Sequence, residues 1–178
     1  MKIYPILTSF LMLIVILSAC QSEEDTITEK SQLKALLHQQ HWQLIALEAT
    51  TSDGTITQNW YESLPDCIRD NVFVTLAPGT GEVGEIQAEE RTMRCTPDEL
   101  HFHPHVAGWK LNEARHIFSV ELFDVGHRML YGYELGASYH TENWHLEQLD
   151  EKIWQVKVPK VRDGTEYQVL IRFQSLPL

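Results

Sequence analysis

The chain has 178 residues, of which 25 are acidic and 14 are basic, so its formal net charge at pH 7 is −11. Nucleic-acid binding needs clusters of Lys and Arg to neutralise phosphates, and this balance therefore excludes nucleic acid as a partner. The length is that of one domain with its own hydrophobic core and is short for two domains.

The first 19 residues have the composition of an export signal. Lys2 precedes an apolar stretch over residues 6–17, and the segment ends in Leu-Ser-Ala before Cys20. A transmembrane helix needs about 20 apolar residues, and this stretch is shorter. The pattern resembles bacterial lipoprotein precursors, which implies a signal peptide over residues 1–19 and lipid attachment, including palmitate-type acyl chains, at Cys20. The alternative is a plain signal peptide with an accidental Cys.

Residues 20–30 are predicted to be a flexible acidic tether. Ile27 is the only large apolar residue between Gln21 and Lys30, so this segment can bury almost nothing. The acidic residues directly after Cys20 resemble the export signal of Bacteroidetes lipoproteins that reach the cell surface. The resemblance implies a bacterial cell-envelope protein that is anchored by its lipid to the outer membrane.

Residues 31–178 are predicted to form an all-β domain behind one short helix. Ser31 can cap a helix that runs through His38 and places its leucines on one face. After it, apolar residues recur with a period of two, which predicts eight to ten strands and no further helix. The clearest strands are at residues 42–47, 72–76, 117–122, 129–133, 144–146, 154–158 and 167–173.

The connections between these strands are short turn sequences. They lie at residues 78–81, 112–114, 124–126, 150–151 and 162–165. Short turns join antiparallel neighbours, so the sheet is predicted to be an antiparallel barrel or sandwich.

The order of these elements resembles the lipocalin (calycin) plan, and its middle part resembles lipocalin-like lipoproteins of the Bacteroidetes. The resemblance rests on the run 66–74 with its Cys, the turn 79–81, the second Cys at position 95 and the strand 108–111. It implies an up-and-down barrel of about eight strands that either holds one small ligand or is filled by its own side chains. It also implies that Trp42 stacks on Arg172, although Gln40 stands where the family usually has Gly.

Cys67 and Cys95 are the two cysteines that remain when Cys20 carries lipid. In an exported chain such a pair most simply forms one disulfide. A two-Cys metal site is the alternative, but the spacing contains no Cys-x-x-Cys element.

Three histidines, His101, His103 and His105, form the most unusual local motif. In an extended segment their side chains point to one face, and three imidazoles could hold zinc or copper. Pro104 interrupts the run and fits an edge strand or loop, so solvated histidines are the alternative. No other cofactor is expected.

Four aromatic residues, Trp109, Tyr131, Tyr133 and Trp144, are candidates for an apolar pocket with polar handles. The alternative is that they are ordinary barrel core. The chain contains no Gly-x-Ser-x-Gly, His-Glu-x-x-His or phosphate-binding Gly-rich motif, so we expect no enzyme.

Two functions follow from these features. In the first, the lipid-anchored barrel binds or carries a small apolar or amphipathic ligand. In the second, a filled barrel is a structural or interaction module that contacts an envelope protein or a polysaccharide. The sequence does not give the oligomeric state.

Overall fold

The computed structural model describes residues 33–38, 40–77, 83–95, 105–133, 136 and 139–177. The chain divides into two compact units, Met1–Ala35 and Leu36–Leu178, and the described part of the first is helical. The predicted signal peptide, Cys20 and the tether lie outside the described residues. None of the described helices is long and apolar enough to span a membrane.

The described residues of the second unit form nine strands, two short helices and the end of a third. We call the helical residues 33–38 α1, and the two later helices are α2 (Asp66–Arg69) and α3 (Asp124–Tyr131). Two 3-10 turns occupy Tyr61–Ser63 and Glu113–Arg115. The strands are β1 (His41–Thr51), β2 (Thr57–Asn59), β3 (Val72–Leu76), β4 (Gly84–Glu89), β5 (His105–Asn112), β6 (Ile117–Phe123), β7 (Tyr139–Leu149), β8 (Ile153–Arg162) and β9 (Thr165–Leu176).

Eight of the strands close into an antiparallel barrel. From β3 to β9 each strand pairs with the next, and β1 joins β9 on one edge and β3 on the other. The short β2 pairs with the far end of β1 as a ninth strand. The prediction of an all-β, lipocalin-like up-and-down barrel behind a short helix is confirmed, and closure leaves fewer unpaired edges.

The last residues of α1 close one end of this barrel. Leu37 is fully buried, and its carbonyl accepts hydrogen bonds from Trp42 Nε1 at 3.2 Å and from Thr75 Oγ1 at 2.5 Å. The His38 ring lies 5.5 Å from the ring of Trp109. The predicted helix is therefore confirmed over its described residues.

The prediction of a turn at 124–126 followed by a strand at 129–133 is wrong, because α3 occupies this segment. Gly126, His127, Leu130 and Tyr131 are buried, which is the three-to-four-residue spacing of a helix face. Gly132, with φ of 81°, ends the helix by donating its N–H to the Arg128 carbonyl. A short apolar run is compatible with a strand or with a helix. The assignment by alternating residues chose the strand and missed these helix signals.

Gly126 lets α3 pack directly on the backbone of β5. A Cβ at this position would lie 1.9 Å from the Val106 carbonyl oxygen, which cannot move aside as a side chain can. We expect Gly126→Ala to lower the free energy of unfolding by about 2 kcal/mol in urea denaturation. Gly108→Ala is the control, because its Cβ would lie 3.3 Å from the Val83 side chain and at an ordinary 3.9 Å from the Gly84 carbonyl oxygen. Equal losses in both variants would contradict this packing.

Aromatic side chains fill the middle of the barrel. Trp154 stacks on Phe173 at 4.6 Å between ring centroids and also contacts Trp42 and Phe118 at 5.9 and 5.8 Å. An interior cavity that is lined by Trp144, Trp154, Phe173 and smaller apolar side chains measures only about 10 Å³. A space of that size is close to one water molecule.

Arg172 does not stack on Trp42, so that prediction is wrong. It lies between the buried Ile171 and Phe173, and the strand alternation therefore turns it to the outer face. There its Nε donates to Gln155 Oε1 at 2.6 Å.

The predicted disulfide between Cys67 and Cys95 is confirmed, with an S–S distance of 2.06 Å. It ties α2 to the segment that follows β4. Asp70 holds the same two segments together, because its Oδ2 accepts from the Thr92 N–H and hydroxyl and from the Met93 N–H.

Candidate functional site

Two buried charges face each other at the barrel end opposite α1. Glu142 lies in the inward-facing row of β7 that contains Trp144, and Lys160 lies in the inward row of β8 that begins with Trp154. Glu142 is 5% exposed and Lys160 is 8% exposed. Residues of these types are almost never buried without partners.

Glu142 is fully engaged by its neighbours. Lys160 Nζ forms an ion pair with Glu142 Oε1. The other carboxylate oxygen accepts from the Tyr131 hydroxyl and from Trp144 Nε1, both at 2.8 Å. The two neutral donors and the ammonium together compensate for the loss of water around this carboxylate.

Lys160 also contacts two side chains of α3. Its Nζ lies 3.2 Å from His127 Nε2 and 3.8 Å from the centre of the Tyr131 ring. His127 Nδ1 lies 2.9 Å from the Tyr133 carbonyl, and a carbonyl can only accept, so Nδ1 carries the proton. Nε2 then offers its lone pair to the ammonium. We call Glu142, Lys160, His127, Tyr131 and Trp144 the polar cluster.

Burial and charge fix the protonation of the polar cluster. Burial lowers the pKa of His127, and the charge of Lys160 lowers it further, while the bond to Tyr133 opposes the shift. Burial also lowers the pKa of Lys160, against the attraction of Glu142. Burial and then Glu142 hold the pKa of Tyr131 well above its ordinary value. A neutral imidazole beside an ion pair is the arrangement that these directions favour.

Pro159 explains why side chains, and not backbone, join the two strands here. The ladder between β7 and β8 has its last pair at His145 and Lys157, whereas β8 continues to pair with β9 through Pro159 and Gln168. Proline has no N–H to donate and is confined to strand positions that need none. Beyond Lys157, the ion pair of Glu142 and Lys160 bridges β7 and β8.

The neutral state of His127 predicts that acid destabilises the fold. The unfolded chain has the ordinary His pKa of 6.5 and takes up a proton more readily than the folded chain does. Stability is therefore expected to fall as the pH drops below 6.5. Urea denaturation at pH 7.5 and 5.5 should show a smaller loss in His127→Gln than in the wild type. His116→Gln, at an exposed position, should behave as the wild type.

The polar cluster contains two of the aromatic residues proposed from the sequence, Tyr131 and Trp144. Tyr133 lies beside it, with its ring 4.7 Å from that of His127. Trp109 lies elsewhere, packed on Phe118 near α1 and bonded through Nε1 to the Glu85 carbonyl.

The sequence reasoning missed Glu142, Lys160 and His127. The alternation that identified Trp144, and Trp154 to Val158, continues inward to Glu142 and Lys160, so the strand period carried a signal for both charges. The sequence contained no such signal for His127, because the inward position of this residue follows only once the segment is known to be the helix α3.

The predicted histidine metal site is only partly described. His105 begins β5, is exposed and lies 3.2 Å from Glu85 Oε2, while His101 and His103 lie outside the described residues. Among the described residues, no group of three or more potential ligands is gathered for a metal. The metal site stays a prediction.

A cleft opens on the outside of the same barrel end, between α2 and the last turn of α3. Its volume is about 330 Å³, and the disulfide forms part of its wall. Its lining consists of Pro65, Cys67, Ile68, Cys95, Arg128, Met129 and Gly132.

Comparisons of this chain with protein-family models, with curated proteins and with solved structures found no match.

Proposed function

We propose that this chain is a bacterial envelope lipoprotein whose filled, lipocalin-like barrel is an interaction module for another envelope protein or a polysaccharide. The observation that carries the proposal is the interior cavity of only about 10 Å³. Small-molecule sites enclose about 300–1,000 Å³. Carriage of a ligand inside the barrel, the other function considered from the sequence, needs a space of that size, and this cavity does not provide it.

The polar cluster supports a structural role for the barrel end. Its donors and acceptors bond to one another and to the Tyr133 carbonyl, and its two charges are at most 8% exposed. A catalytic group must reach its substrate within about 3 Å, directly or through one water. The cluster instead fastens α3 across the end of the barrel, which keeps the interior filled.

The outer face of β6 and β7 offers a surface for contact. Phe123 and Tyr139 are paired across the two strands, and they are 37% and 59% exposed. Paired aromatic residues on a solvent-facing sheet are typical of interaction surfaces. The proposed partner would cover this pair.

The first experiment is native mass spectrometry of the chain from residue 21 onward, produced in an oxidising compartment. A bare mass, two hydrogens below that of the reduced chain, is the result that we expect for a filled barrel. An additional bound mass that organic extraction removes would contradict the filled barrel if the NMR signals of the Trp144 and Trp154 indole N–H groups also differ before and after the extraction. Those two indoles report on the interior specifically.

The proposed lipid anchor is tested on the full chain in a bacterial host. The mature protein is expected to begin at Cys20 and to carry acyl chains there, so that it partitions with membranes. Cys20→Ser should remain unacylated and leave the membrane fraction, whereas Ser18→Ala should leave partitioning unchanged. Membrane association of Cys20→Ser equal to that of the wild type would refute the anchor.

A further inference from the structure

The cleft between α2 and α3 has the dimensions of a small-molecule site, unlike the interior of the barrel. Its volume of about 330 Å³ falls at the lower end of the range for such sites, about 300–1,000 Å³. A space of this size suits a ligand with one short chain and is small for a lipid with two.

The walls of the cleft are held in place by the disulfide, by hydrogen bonds to Asp70 and by close packing at Gly132. The disulfide and the bonds to Asp70 fasten α2 to the segment after β4. Gly132 brings the end of α3 against the segment before α2, since a Cβ there would lie 2.8 Å from Leu64 Cδ2. A preformed site loses less conformational entropy when a ligand binds.

The lining combines apolar surface with one cationic side chain. The apolar part is supplied by Ile68, Met129, Pro65 and the disulfide, and Arg128 is the charged residue among the lining groups. Arg128 also interacts within the chain, but a guanidinium has five donors and no acceptor. A ligand head that meets this group must accept hydrogen bonds, and a negative charge strengthens them.

We infer that the cleft binds a small single-chain amphiphile with an acidic head, whose apolar part lies on Ile68, Met129 and the disulfide. The acidic head accepts from Arg128 at the edge of the cleft. A positively charged head is excluded by repulsion from the guanidinium. This site is separate from the barrel interior, so the inference goes beyond the proposed interaction module.

The test is a titration of the ¹⁵N-labelled chain from residue 21 onward with decanoate, and with decanol as the neutral compound of equal chain length. Decanoate is expected to shift the amide signals of Cys67, Ile68, Met129 and Gly132, and decanol to shift the same signals at higher concentration. Arg128→Gln should weaken decanoate binding at least about tenfold and leave decanol binding within about twofold. Arg115→Gln, on the exposed 3-10 turn, should change neither.

A second variant keeps the test decisive if Arg128→Gln disturbs α3. Pro65 is exposed at the edge of the cleft, so Pro65→Trp should obstruct it without entering the core, and both compounds should then bind more weakly. The inference is overturned if neither compound shifts these signals. It is also overturned if decanoate shifts the Trp154 indole signal, since the ligand would then occupy the interior, or if Arg128→Gln and Arg115→Gln weaken decanoate binding equally.

Discussion

Lys160→Met is expected to lower the free energy of unfolding by about 3–5 kcal/mol, because it leaves the Glu142 carboxylate buried without its cation. Methionine is close in length to the lysine stem, so the loss reports the missing charge more than a cavity. Tyr131 and Trp144 still donate to the other carboxylate oxygen, and they do not neutralise it. Urea denaturation at pH 7.5, with the m-value checked for constancy, measures the loss.

The neighbouring exposed ion pair provides the matched control. Lys157 pairs with Glu147 at 3.0 Å on the outer face of the same two strands, and Lys157→Met should cost less than about 1 kcal/mol. Adding Glu142→Gln to Lys160→Met removes the orphaned charge while keeping an acceptor for Tyr131 and Trp144, so part of the stability should return. A loss in Lys160→Met no larger than in Lys157→Met would refute a buried, mutually dependent pair.

The barrel could be predicted from the sequence because strand periodicity is a local property. Most of the strands alternate inward and outward residues, and short turns favour the pairing of neighbours, so the order of strands from β3 to β9 follows the chain. Closure between β1 and β9 joins residues far apart in sequence, and the resemblance to lipocalins supplied that step.

The polar cluster could not be predicted in the same way, because its partners come from three elements. Lys160 and Glu142 lie beyond the last paired residues of β7 and β8, and His127 lies on a helix in a segment that was predicted to be a turn followed by a strand. Even when the inward-facing positions of both strands are assigned correctly, a Lys among apolar inward residues contradicts the pattern of a buried strand. The contradiction is removed only when the carboxylate that pairs with this Lys is identified. The burial of a charged residue is explained only together with the group that pairs with it.

Helix α3 links the polar cluster to the cleft. One turn of the helix presents His127 and Tyr131 to the buried ion pair, while Arg128 and Met129 face the cleft. Loosening the cluster should therefore displace the cleft wall as well. Lys160→Met is accordingly expected to weaken decanoate binding although Lys160 does not line the cleft.

Removing the disulfide with Cys67→Ala and Cys95→Ala together is expected to lower the free energy of unfolding by about 3.5 kcal/mol. This value follows from the entropy of closing a loop between two residues that are 28 positions apart. Asp70 holds the same segments by three hydrogen bonds, so the native structure should persist under mild conditions. Urea denaturation of the oxidised wild type and the double variant measures the difference, and dithiothreitol should lower the stability of the wild type alone. Equal stability of the two proteins would contradict a stabilising constraint of the disulfide on the unfolded chain.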